Sequence, residues 1–153
     1  MLVHHFGSKQ GLLLSALGEA RRRQRAAFEA HLKDQPGRPY ARVIADAWRW
    51  LSTEEPRPFL RLFGELHALA GVPESPYADF ARRSIVDWLP VVQAGFLADG
   101  AQPADAQQLA TLTIAVIRGL LQDRNAVQDE ARVDDAHALF IELLETGDRR
   151  SAR

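Results

Sequence analysis

An all-α domain of about six helices is what this sequence predicts, and three observations carry the prediction. Between successive Pro- and Gly-containing breaks, apolar residues return every third and fourth position, the period of a helix with one buried face. No segment alternates apolar and polar residues over the roughly four to eight positions that a half-buried strand requires. The 153 residues, 46% hydrophobic and 25% charged, suffice to close one core and are too apolar for a disordered chain.

Each element follows from its own residues. Ser8 suits an N-cap, and Leu13, Leu17, Ala20, Ala27 and Phe28 then run along one side of a long first helix to about Leu32. The arginines Arg21, Arg22, Arg23 and Arg25 read as a solvated face of that helix. "DQPGRP" (34–39) stops it, and Tyr40, Val43, Ile44, Ala47, Trp48 and Leu51 form the inner face of a second helix. After "EEPRP" (54–58), Pro58 suits the first turn of a third helix, which gathers Phe59, Leu62, Phe63 and Leu66. "AGVPESP" (70–76) precedes a fourth, from about Pro76 to Leu97. Within it Pro90 removes the amide that would bond the Val86 carbonyl, so a kink is predicted there.

Past "ADGAQP" (98–103) come the densest apolar stripes: Leu109, Leu112, Thr113, Val116, Ile117, Leu120 and Leu121, then Val133, Ala136, Leu139, Phe140, Leu143 and Leu144. Joined by a short polar link around 128–132, these two helices form an antiparallel hairpin. Stripes wider than one core contact requires predict a homodimer, the hairpins of two chains making a four-helix bundle with Val116, Leu120, Phe140 and Leu144 facing the partner.

Several function classes fall away. The absence of cysteine excludes a disulfide framework and thiol chemistry and suits a reducing cytoplasm. No apolar run approaches the ~18 residues of a membrane span, and Met1 leads into a His-containing turn rather than a signal peptide. A cytoplasmic location with no membrane partner is therefore expected. No cofactor and no metal site are expected either. The His4–His5 pair has no third ligand at helical spacing, Glu65 and His67 face different sides, and no HExxH or cysteine set exists. Without a nucleophile elbow, a phosphate loop or a paired-carboxylate arrangement, no catalytic residue is assigned. His31 and His137 read as surface residues.

The net charge of −1 hides an asymmetry. Residues 1–25 set Lys9, Arg21, Arg22, Arg23 and Arg25 against Glu19 alone, a net +4 that leaves −5 for the remainder. Only this first segment suits phosphates, although its arginines lie roughly 18 Å along the helix from Lys9.

Its opening, "MLVHHFGSKQGLL" (1–13), resembles the end of the DNA-binding motif in the TetR family of bacterial transcriptional regulators, with a pattern like L-Y-x-H-F-x-S-K-x-x-L. Leu2, His5, Phe6, Ser8, Lys9 and Leu12 occupy the matching positions, while Val3 stands where the family usually has tyrosine. The resemblance implies that residues 1–8 are the remnant of a recognition helix and its turn, and that 9–153 form an effector-binding and dimerisation domain. It further implies about 35 to 40 preceding residues that would read base edges, with Met1 an internal methionine of the longer form. His4, His5 and Lys9 would then contact the DNA backbone, Lys9 aided by the start of its helix. Operator DNA is thus an expected partner only when those residues are present.

In such regulators the effector lies among the middle helices. Here Trp48, Phe59, Phe63, Leu66, His67, Trp88, Val92 and Phe96 are expected to line its cavity, with Pro90 where a kink opens space. Apolar walls with one or two polar groups suit a small, uncharged or weakly polar aromatic or lipid-like molecule, oriented by a hydrogen bond to His67. The same aromatics read equally as plain core. A ligand-free dimeric helical module and, third, a small all-α enzyme using His67 are the competing readings.

Overall fold

Seven helices are present among the residues that the computed structural model describes, which are 9–33, 37–127 and 129–151. They are α1 (Lys9–Lys33), α2 (Tyr40–Leu51), α3 (Arg57–Ala70), α4 (Ala78–Val86), α5 (Leu89–Ala98), α6 (Pro103–Val127) and α7 (Glu130–Ser151), and no strand occurs among these residues. His4, His5 and the Ser8 cap lie outside them, as does the side chain of His31; Lys9 is exposed at the head of α1.

The predicted fourth helix is two helices. Pro90 occupies the first turn of α5, where its missing N–H is harmless. Its ring is incompatible with a helical carbonyl four residues earlier, so α4 ends there, the Asp87 amide bonding Arg83 O and the Trp88 amide Ile85 O, both at 3.0 Å. At its other end α5 is closed by Gly100, whose φ of +100° lets the Ala101 amide turn back to Phe96 O at 3.0 Å. The Asp99 carboxylate at this corner accepts the Tyr40 amide at 2.6 Å, satisfying the first donor of α2 and fastening it to α5.

Two apolar clusters hold the helices. In the larger, Tyr40, Val43 and Ile44 of α2 meet Val92 and Phe96 of α5, Ala106 and Ala110 of α6, and Phe140, Ile141 and Leu144 of α7. Gly95 permits the closest approach, since a Cβ there would lie 2.1 Å from Cε2 of Tyr40. In the smaller, Leu17 of α1, Leu66 of α3 and Phe80 of α4 pack together. No helix among the described residues is long and apolar enough to cross a membrane.

Several placements depart from the sequence pattern, and two polar residues that take inner positions, His137 and Arg21, account for most of them. On α7 the buried face is Val133, His137, Phe140, Ile141 and Leu144. His137 is buried, not at the surface, because its ring stacks on Trp48 with centroids 4.5 Å apart and planes 9° apart. Counting it inward turns the helix, so Phe140 and Leu144 belong to the core of their own chain rather than to a partner-facing surface. Leu139 and Leu143 point outward instead, 56% and 61% exposed, alongside Leu112 of α6 at 51%. On α1, Arg21 leaves the solvated face: its guanidinium is buried against Asp87 at 2.9 Å and lies 6.0 Å over the Phe80 ring. Arg22 and Arg23 stay in solvent, paired with Glu19, and Ala27 is exposed.

Candidate functional site

A cavity of about 970 Å³ opens between α1, α2, α3 and α6, with Ser84, Trp88 and Val92 on a fifth side. Helical spacing explains its walls. Thr113, Ile114, Ile117, Arg118 and Leu121 recur on one face of α6, and Gln24, Ala27 and Phe28 on one face of α1. Phe28 meets Trp88 edge-on at 5.6 Å, and Phe59 and Phe63 are 5.9 Å apart on α3, so aromatic surface forms one end. The break before α5 frees Trp88 from a helical register and aims it at the gap.

Of the eight residues read from the sequence as cavity-lining, Phe59, Phe63, Trp88 and Val92 do line it. The other four are placed elsewhere, each for a visible reason. Trp48 turns to α7, stacking on His137 and donating its indole N–H to Asp134 Oδ1 at 2.9 Å. Leu66 fills the smaller core. Phe96 packs edge-on against Tyr40 at 4.9 Å and faces a second cavity, of about 790 Å³, between α2, α6 and α7. His67 sits behind the wall: Nδ1 is 2.8 Å from Phe63 O and Nε2 is 2.7 Å from Ser84 Oγ. Because a carbonyl can only accept, Nδ1 carries the proton, and the single Ser84 hydroxyl proton is shared between two acceptors, Nε2 and Ala81 O at 2.5 Å. Burial first, and then the positive charge of Arg118, hold the imidazole below its ordinary pKa, against the raising effect of the Phe63 carbonyl bond. The group that reaches the cavity is therefore Ser84, with His67 fixing it.

Polar groups that the sequence reading left out stand on the same walls. Asp46 is bonded by Arg38 and Arg49, which lower its pKa despite burial, so its charge is already matched. Arg21 is held by Asp87 through one amino group while Nη1 is buried with no partner among the described residues. Tyr40 Oη and Thr113 Oγ1 are likewise buried and unpartnered, and burial, then the Asp99 charge, raise the Tyr40 pKa well above its ordinary value. Arg118 is half-buried and makes neither a hydrogen bond nor an ion pair among the described residues. Only Arg118 left a signal in the sequence, an arginine set inside the apolar run "AVIRGLL".

No family model matches the chain, and no curated protein and no solved structure matches it.

Proposed function

We propose that this chain is the effector-binding and dimerisation part of a TetR-like transcriptional regulator that senses a small, predominantly apolar molecule and has no catalytic role. The observation that carries the reading is the cavity of about 970 Å³, within the size range of small-molecule sites, about 300–1,000 Å³. Its first wall is α1, the helix that begins at Lys9, the residue that the resemblance places on DNA phosphate. Whatever fills the cavity bears directly on the element that would carry the DNA-reading residues, and this continuity favours a sensor over a ligand-free module.

Pairing of two chains rests on Leu112, Leu139 and Leu143, an exposed apolar face on the last two helices. A second copy would cover it with the same face across a two-fold axis, as closed homodimers require. Of the residues expected at this interface, half-buried Val116 and Leu120 keep surface to contribute.

A thermal-shift screen of hydrophobic metabolites tests the central reading, since a ligand bound only by the folded form raises its melting temperature. At least one should raise it in the wild type and fail to do so after Ala47→Phe, which fills the cavity from α2. A panel without effect would defeat the reading. Sedimentation should show a dimer that Leu139→Glu with Leu143→Glu converts to monomer. With DNA-reading residues present N-terminal to α1, Lys9→Ala should weaken operator binding evenly across sequences, because phosphate contacts carry no direct sequence information.

A further inference from the structure

We infer that the molecule taken by this cavity is an amphipathic acid, its anionic group held by Arg118 and its apolar body lying among Phe63, Trp88, Val92 and Ile117. The inference rests on the effector reading above and specifies the chemistry of the ligand.

The charge inventory of the walls points one way. Arg21 and Arg118 face the cavity and Arg23 and Arg49 stand at its solvent-exposed rim, with Asp46 the sole lining carboxylate among the described residues. Asp46 is matched by Arg38 and Arg49, Arg23 by Glu19 and Arg21 by Asp87. Arg118 alone among them has no counter-charge among the described residues. A half-buried guanidinium without a partner is costly to keep, and burial lowers the Arg118 pKa from its ordinary value. The neighbouring side chains on the same face, Ile114, Ile117 and Leu121, cannot accept a hydrogen bond, and the one lining carboxylate among the described residues, Asp46, is already matched, so a counter-charge for Arg118 is not supplied by the described residues.

A second, independent observation agrees. Thr113 Oγ1 and Tyr40 Oη, in residues 4% and 3% exposed that line the same cavity, are buried hydroxyls without partners among the described residues. Buried polar groups are nearly always satisfied, so unmatched hydrogen-bonding capacity in the cavity wall favours a polar ligand atom that a small shift of the wall would bring to it. Guanidinium and hydroxyl together are donors that a carboxylate accepts. The remaining walls are too apolar to bind a small hydrophilic anion by itself. An acid with a hydrocarbon body satisfies both features.

Decanoate, 1-decanol and decylamine share one chain and differ in the head, so titrating each below its micellar concentration, by calorimetry at neutral pH, isolates the charge. Decanoate should bind the wild type at least about tenfold more tightly than 1-decanol, as one charge-assisted hydrogen bond implies, and decylamine more weakly still. Arg118→Met should erase the preference while leaving 1-decanol binding within about twofold, and Arg118→Lys should retain most of it. Equal affinity of wild type for acid and alcohol would overturn this inference and leave the apolar-effector reading standing, as would a preference that survives in Arg118→Met. Binding of none of the three would overturn both. The wild-type comparison decides the matter even if Arg118→Met fails to fold.

Discussion

Replacing glycine by alanine inside a helix ordinarily stabilises it, by about 1 kcal/mol, because alanine loses less backbone entropy on folding. Gly95 of α5 should do the reverse. A Cβ at that position falls 2.1, 2.2 and 2.5 Å from three ring atoms of Tyr40, well inside contact distance. The ring has little room to yield: Tyr40 is 3% exposed, packs edge-on against Phe96 at 4.9 Å, and has its amide tied to Asp99. Overpacking of this kind typically costs about 1–3 kcal/mol and sometimes more. With the propensity gain set against a clash at the upper end of that range, Gly95→Ala should destabilise by roughly 2 kcal/mol, or about 4–8 °C in melting temperature for a domain of this size. Gly119→Ala on α6 makes the same chemical change where no atom lies within 4 Å, and it should raise stability by about 0.5–1 kcal/mol. Melts followed by circular dichroism, with urea midpoints alongside, measure both. A Gly95→Ala variant melting at or above wild type would refute the packing argument. So would equal shifts for the two glycines.

Other expected outcomes rest on different parts of the molecule. Burial depresses the His137 pKa from 6.5 to about 4, with Asp134 acting in the opposite direction; the unfolded chain therefore takes up this proton first as pH falls. The contribution is fully present above about pH 6.5 and is lost towards pH 4, roughly 2–3 kcal/mol in all; His137→Phe should flatten that part of the urea-midpoint profile, and an unchanged profile would count against it. Asp87→Ala strips the buried Arg21 guanidinium of its carboxylate and should cost on the order of 2 kcal/mol, read as a lower urea midpoint; no change would show that solvent replaces the carboxylate. Trp88 lines the cavity and Trp48 does not, so ligand-induced change in tryptophan fluorescence should survive Trp48→Phe and shrink in Trp88→Phe; the opposite pattern would move the ligand to α7.

The sequence carried the helices well and the sides of the helices less well. Breaks at Gly and Pro mark most of the corners, and the proline at 90 marks the one division that periodicity alone leaves joined. Which edge of a broad apolar stripe turns inward is harder to read, because the decision on α7 belongs to His137. An imidazole looks like a surface residue until Trp48, 89 positions earlier in the chain, is known to stack on it. Arg21 is the same case on α1, made inward by Asp87 and Phe80. The cavity was half legible: Phe59, Phe63, Trp88 and Val92 are aromatic or aliphatic and announce themselves, whereas Tyr40, Thr113 and Ser84 acquire their meaning only from what surrounds them in space.

The unbroken run of α1 has a mechanical consequence. Phe28 meets Trp88 near one end, Leu17 and Arg21 are packed against Leu66, Phe80 and Asp87 partway along, and Lys9 lies about 12 Å beyond Leu17 along the axis. The helix is in effect a see-saw on that packed stretch, with Phe28 and Lys9 on opposite arms. A swing of about 5° around Leu17 moves Lys9 by about 1 Å. In the two-fold pair proposed above both ends would move, so their separation would change by about 2 Å. On that proposal, a ligand wedging α1 away from α6 at Phe28 would be felt at the opposite arm, where the DNA-reading residues would join.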